Sequence, residues 1–171
     1  MSNQIAAVAF GLGSNLGDRS EMIHRAFHRL CEDALLHARC SRIYESPPWR
    51  GMAQPSYLNA VVVGQTEWKP PAVFHFIKTL ELALGRQSAQ RYAPRVIDID
   101  ILSYGDKPYR DEQLEIPHPH LSERDFVLAP WAELWPTWIH PISNQSLAQL
   151  LKKTPQTAKV FAPAPQDKEN P

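Results

Sequence analysis

The run Val96-Ile97-Asp98-Ile99-Asp100-Ile101-Leu102 limits the possible folds more tightly than any other part of the chain. Isoleucine and aspartate alternate in it. A strand sorts such a run by face, sending Ile97, Ile99 and Ile101 to one side and Asp98 and Asp100 to the other. The isoleucine side has to be buried, so the strand belongs in a sheet with a layer packed against it.

The rest of the sequence supplies that sheet and that layer. Ile5 to Phe10 is a short apolar run ending in Gly11 and Gly13, which predicts a buried first strand entering a tight turn. Asp18 and Glu21 have capping-box spacing, and Met22, Ile23, Ala26, Phe27, Leu30, Ala34 and Leu35 recur at helical intervals. Ser41 to Glu45 reads as a second strand stopped by Pro47-Pro48, followed by a loop from Trp49 to Ser56. Tyr57 to Thr66 is apolar on both faces, as a central strand should be, with Asn59 as a polar exception. Pro70 and Pro71 suit a helix start, Val73, Phe76, Ile77, Leu80 and Leu84 mark its buried stripe, and Gly85 closes it. Val96 to Tyr104 is a strand, and a last helix is expected around Ser146 to Lys153. The order strand, helix, strand, strand, helix, strand predicts an α/β (α+β) fold: a ferredoxin-like βαββαβ sheet with helices on one face and a C-terminal extension. At this length we expect one domain over residues 1–153 and a loosely ordered tail over 154–171.

Lys plus Arg and Asp plus Glu both number 18, so no net field draws the chain to a polyanion. The N-terminal residues lack the basic start of an export signal, and no apolar run reaches membrane-spanning length. The expectation is a cytoplasmic protein, a monomer, with neither nucleic acid nor membrane as partner. Cys31 and Cys40 have neither metal-ligand spacing nor disulfide density and read as free thiols.

Alternate residues of a strand stand about 6.5 to 7 Å apart, so Asp98 and Asp100 could bracket hard cations, magnesium being the natural one. Two solvated acids would show the same spacing. Arg86, Arg91 and Arg95 precede them, and forked guanidinium donors beside metal-binding carboxylates are what a polyphosphate needs, although a salt bridge from Arg95 to either aspartate is an equal reading. His118 and His120 find no zinc set completed by the cysteines, which favours His118 as a hydrogen-bond donor to phosphate or nucleotide. Trp49, Tyr57, Asn59 and Phe126 are the kinds of group a flat bicyclic substrate requires. Gly11 to Gly17 has neither the lysine of a P-loop nor GxGxxG spacing, and is read mainly as a tight connection.

Gly13-Ser14-Asn15-Leu16-Gly17-Asp18, Tyr44-Glu45-Ser46-Pro47-Pro48, Gln54-Pro55-Ser56-Tyr57-Leu58-Asn59-Ala60, Pro94-Arg95-Val96-Ile97-Asp98-Ile99-Asp100, Pro117-His118 and Arg124-Asp125-Phe126-Val127-Leu128-Ala129-Pro130 occur in this order. Taken together these blocks resemble the 6-hydroxymethyl-7,8-dihydropterin pyrophosphokinase (HPPK) family. The resemblance implies that Asp98 and Asp100 hold two magnesium ions against the phosphates of ATP, with Arg86 and Arg95 assisting. It implies Glu81, Arg91, His118 and Arg124 at the nucleotide. It also implies Ser46, Trp49, Tyr57, Asn59 and Phe126 around a 6-hydroxymethyl-7,8-dihydropterin whose hydroxyl attacks the β-phosphorus of ATP. Ser88 and Tyr92 depart from the family pattern in a closing loop and point to altered rates. A pterin- or nucleotide-binding module without catalysis, or a magnesium-dependent phosphohydrolase, would use part of the same set.

Overall fold

The computed structural model describes residues 5–87 and 93–166. Its first strand, β1 (Ala6–Ser14), occupies the middle of the sheet, and helix α1 (Arg19–Asp33) follows. The Asp18 carboxylate accepts from the Glu21 N–H at 3.0 Å, and Ile23, Ala26, Phe27 and Leu30 form the buried stripe of α1. β1 runs on through both glycines, past the expected turn. Gly11 and Gly13 face the same side as Ala9 and line a cavity there.

The expected second strand is two short ones, β2 (Leu36–Cys40) and β3 (Ile43–Ser46), both antiparallel to β4 (Tyr57–Thr66). β2 is irregular between Leu36 and Arg39, and Gly64 makes room for it. A Cβ there would stand 3.2 Å from the Leu36 carbonyl oxygen. β2 does alternate, with Leu36, Ala38 and Cys40 apolar, but it is only five residues long and mostly exposed, and the helical spacing that runs on through Leu35 hides its start. Helix α2 (Pro70–Ala83) begins with prolines at its first two positions and ends on Gly85 at φ +96°, as expected.

Strand β5 (Asp98–Tyr104) completes a sheet of order β5-β1-β4-β3-β8, the last strand being β8 (Lys159–Ala162), with β2 paired to β4 beside β3. If β2 and β3 count as one interrupted strand, the first four positions are those of the antiparallel ferredoxin-like sheet. Ile97, Ile99 and Ile101 join Val8, Phe10, Phe27, Ile77 and Leu80 in the core under α1 and α2. Each such fully buried aliphatic side chain contributes roughly 1.5–3 kcal/mol.

Three features depart from expectation. The proline-punctuated segment contains a small β-hairpin, β6 (Tyr109–Arg110) and β7 (Glu115–Ile116), and then helix α3 (Asp125–Leu134). Pro130 removes one helical donor inside α3, yet Val127, Leu128 and Trp131 are buried there against Ala9, Val61, Val63 and Leu102. Burial thus overrides a local signal against helix. α3 and the short α4 (Leu147–Leu151), capped by Ser146 and Gln149, cover the second face of the sheet, so helices lie on both faces instead of one. Lastly, the expected loose tail supplies an edge strand, β8 (Lys159–Ala162), whose backbone groups are satisfied by β3.

Cys40 is buried and Cys31 partly so, and no disulfide joins them. Trp131 and Trp138 stack with centroids 4.3 Å apart, and the His140 ring meets the Trp138 edge at 5.7 Å. Nδ1 of His140 accepts from the N–H groups of Ile142 and Ser143, and burial pushes its pKa below the ordinary 6.5. Protonation would turn that acceptor into a donor. The lowered pKa sets the sign: stability is complete above about pH 6.5 and is lost as the pH falls towards the folded-state pKa. Denaturation midpoints measured from pH 7.5 down to 5 should therefore decline, and His140→Asn, which keeps an acceptor, should flatten that slope.

Candidate active site

Antiparallel pairing places cross-strand partners on the same face, and the register of three strands builds a polar row. Gly13 pairs with Asp98 on one side and with Asn59 on the other; Gly11 pairs with Asp100 and Val61. Two acids and an amide thus flank a floor of glycine. A Cβ on Gly13 would come within 3.6 Å of Asn59 Oδ1 and 3.7 Å of the Tyr57 ring, so glycine keeps this floor low.

Above it opens a cavity of about 200 Å³ between the sheet, the Pro47–Met52 loop and the N-terminus of α3. Ser46, Tyr57, Asn59, Arg95, Asp98, Asp100, Arg124 and Phe126 all line it, so eight of the residues singled out in the sequence converge. Asn59 is 5 % exposed and donates to the Ser46 hydroxyl at 3.0 Å. Burial raises the Tyr57 pKa, which keeps its phenol protonated. Trp49 begins a short 3-10 turn, Trp49–Gly51; its side chain, like Arg91, Ser88 and Tyr92, lies outside the described residues.

Both oxygens of Asp98 meet arginines: Oδ1 the Arg86 guanidinium at 2.8 Å, Oδ2 that of Arg95 at 2.7 Å. Asp100 faces Arg124 at 3.5 Å and His118 Nε2 at 3.8 Å. Nδ1 of His118 accepts from the His120 N–H at 3.2 Å, which assigns the proton of the neutral ring to Nε2, aimed at Asp100. Burial lowers the His118 pKa, partly opposed by the Asp100 charge, so the neutral donor form is favoured. His120 turns instead to Glu123 at 3.5 Å.

Glu81 and Arg86 stand outside the lining of this cavity. The Glu81 carboxylate, 2 % exposed, sits behind β5, where it accepts from the Ile99 N–H at 2.6 Å and pairs with Arg86 at 2.5 Å and Lys78 at 3.1 Å. Burial raises its pKa, and Lys78 is the strongest opposing influence. Glu81 thereby anchors the guanidinium that reaches Asp98. Lys78 escaped the sequence reading; its only signal was its place one helical turn before Glu81.

Asn15 was quoted in a motif without a role, and it is 2 % exposed. Its Oδ1 accepts from the Arg95 N–H at 2.8 Å, and its Nδ2 donates to Gln54 at 3.1 Å. One side chain therefore fastens Arg95 to the loop that precedes Tyr57.

A second cavity, of about 280 Å³, opens beyond β5 and is lined by Phe74, Lys78, Leu114, His118 and, again, Asp100. Among the described residues no group of three or more His, Cys, Asp and Glu side chains could hold a metal by itself. Two carboxylates of one face remain, which suits a cation that takes its other ligands from water and phosphate. No helix among the described residues is long and apolar enough to cross a membrane.

Fold and site together define an antiparallel α/β protein with a carboxylate-and-arginine centre between two ligand-sized cavities. The sequence profile of 7,8-dihydro-6-hydroxymethylpterin-pyrophosphokinase (HPPK) matches residues 9–136. The 2-amino-4-hydroxy-6-hydroxymethyldihydropteridine pyrophosphokinase of Aquifex aeolicus is 40% identical over 157 residues, which is 92% of this chain and 96% of that protein. The Synechocystis protein of the same name is 34% identical, over 91% of this chain and 80% of its own. The folic acid synthesis protein FOL1 of Dictyostelium discoideum is 42% identical over 81% of this chain, which spans 21% of that longer protein. A Plasmodium falciparum HPPK-DHPS crystal structure shares the fold, with TM-score 0.73 at 16% identity, over 89% of this chain and 46% of that one. The chain belongs to the HPPK family.

Glu81→Ala should strip the Ile99 N–H, Lys78 and Arg86 of their common acceptor and cost on the order of 3 kcal/mol in urea denaturation at pH 7. Breaking the exposed Arg29–Asp33 pair with Arg29→Ala should cost less than about 0.5 kcal/mol.

Proposed function

We infer that this chain is a pyrophosphokinase of folate biosynthesis: it transfers the terminal pyrophosphoryl group of ATP to the hydroxymethyl oxygen of 6-hydroxymethyl-7,8-dihydropterin and releases AMP. Its family and the names of its relatives support the reaction. The observation that carries the reading to this chain's own residues is that Asp100 lines both cavities. A reaction between two bound molecules needs one charged centre where their reacting ends meet.

The pterin occupies the cavity over Gly11 and Gly13. Phe126 and Tyr57 offer aromatic faces to its bicyclic ring, with Trp49 as a further wall. Asn59, oriented by Ser46, reads its polar edge. A site that hydrogen-bonds a substrate edge rejects analogues lacking it, because its buried polar groups are then left unpaired.

ATP takes the second cavity. Lys78 and His118 stand at its wall, while Arg95 and Arg124 present guanidinium groups from the pterin side. His118 donates from Nε2, and Arg91 adds a further cation. Asp98 and Asp100 would hold magnesium, two ions in our reading, and bound magnesium neutralises phosphate charge and lowers the barrier to attack at phosphorus. With magnesium bound, Asp98 would loosen its pairing with Arg86 and Arg95, and their guanidinium groups would be available to phosphate. The hydroxymethyl oxygen bonds to the β-phosphorus, the bond from that phosphorus to the α-β bridging oxygen breaks, and the electron pair leaves on AMP. No protein nucleophile is required, because the attacking oxygen belongs to the substrate.

The test is AMP formation from ATP and magnesium, with and without the pterin. AMP should require the pterin, and Asp98→Ala should lower kcat by on the order of a hundredfold or more. Asn59→Ala should raise the pterin KM about tenfold and leave that of ATP nearly unchanged. Inorganic phosphate released without pterin would replace this reading with hydrolysis, and pterin binding without AMP would replace it with a binding module.

A further inference from the structure

Arg124 and Phe126 line the cavity, but Asp125, between them, does not. As the first residue of α3 its side chain turns the other way and is buried, 6 % exposed. Its partners come from 32 and 33 residues further along the chain. The carboxylate accepts from the Thr157 N–H in a very short hydrogen bond, from the Thr157 hydroxyl at 3.0 and 3.1 Å, and from the Ala158 N–H at 2.8 Å. Among the described residues no cation lies within salt-bridge distance of it. A buried carboxylate is tolerated only when its lone pairs are met, and here one two-residue segment meets them.

That segment leads straight into β8. Val160 pairs with Tyr44 and Lys159 with Glu45, the latter one strand position from Ser46 in the cavity lining. The Phe161 ring then faces the Arg19 guanidinium at 5.9 Å, and Arg19 donates to the Ser56 carbonyl at 2.8 Å, next to Tyr57. The same short stretch is thus joined to the α3 wall of the cavity through Asp125 and to its β3 side through the sheet. The far end of α3 is fixed separately, by Glu133 with Arg42 and Tyr44.

Resting on the function inferred above, we propose that Asp125 is a positioning residue for the transfer reaction, through which Thr157 and Ala158 hold Phe126 and Arg124 at the substrate cavity. A fixed wall matters because displacement of a contact group by about 1 Å can cost up to a hundredfold in rate. The carboxylate is needed as such. Asparagine has one acceptor oxygen and would turn its NH₂ towards a Thr157 or Ala158 donor.

The test is a double-mutant cycle in the full chain, read as pterin affinity and as kcat/KM for AMP formation. Asp125→Asn should weaken pterin binding about tenfold, and in a Phe126→Ala background that further loss should largely vanish, because the residue acts through Phe126. Thr157→Val should move both quantities the same way by less, while Thr157→Ser, which restores the hydroxyl, should match the wild type. Ile23→Val, in the core on the opposite face, controls for stability: it should lower the melting temperature and leave pterin affinity unchanged. Should Asp125→Asn not fold, the Thr157→Val and Phe126→Ala pair is read identically. Additive losses, or an Asp125→Asn protein that binds pterin as the wild type does, would overturn the proposal alone. A wild-type chain that makes no pterin-dependent AMP would overturn the activity and the proposal together.

Discussion

The structure depends on the antiparallel pairing of β1 with β4 and β5. That register sets Asp98, Gly13 and Asn59 in one row, with Asp100 and Gly11 in the next. A one-residue slip of β5 would send both aspartates into the isoleucine core and expose Ile99 and Ile101. The hydrophobic requirement of one face therefore fixes the chemistry of the other. No energy has to be spent separately on aiming the carboxylates, because the core aims them.

Periodic features were legible in the sequence for the same reason. Ile97 to Leu102 and the stripe of α1 repeat at the period of the element they form, and each repeat reports contact with a core that exists in the fold. The prolines and Gly85 marked the limits of α2 because they act on the backbone directly. β2, α3 and β8 were not legible. β2 is short and mostly exposed, and is held by its partner strand. α3 carries an internal proline that argues against helix, and is kept helical by Trp131 and Leu128 in the second core. β8 exposes Val160 and Phe161 and pairs only because β3 offers an edge. In each case the cause is tertiary, and a local window does not contain it.

The candidate site divides along the same line. Charged and aromatic residues with a chemical reason to be present could be picked out: Asp98, Asp100, Arg95, Asn59 and Phe126 do meet around one cavity. The residues that orient them could not. Asn15, Lys78 and Asp125 contact other protein groups, and nothing in their spacing reveals partners up to 80 residues away. The glycines of β1 were read as a turn since glycine signals freedom more often than closeness; here their lack of a side chain makes space.

The cavity draws on residues from Gly11 to Phe126, and the carboxylate that abuts its wall is satisfied by Thr157 and Ala158. During synthesis a nascent chain holds β1 and α1 before the strand that carries the aspartates has been made. Domains mature from the N-terminus at about 5–20 residues per second, and such distant pairings close late. The acidic centre and the segment that satisfies its wall are therefore made after the glycine floor and the amide edge, so a product interrupted before β5 would carry floor and edge without the means to use them.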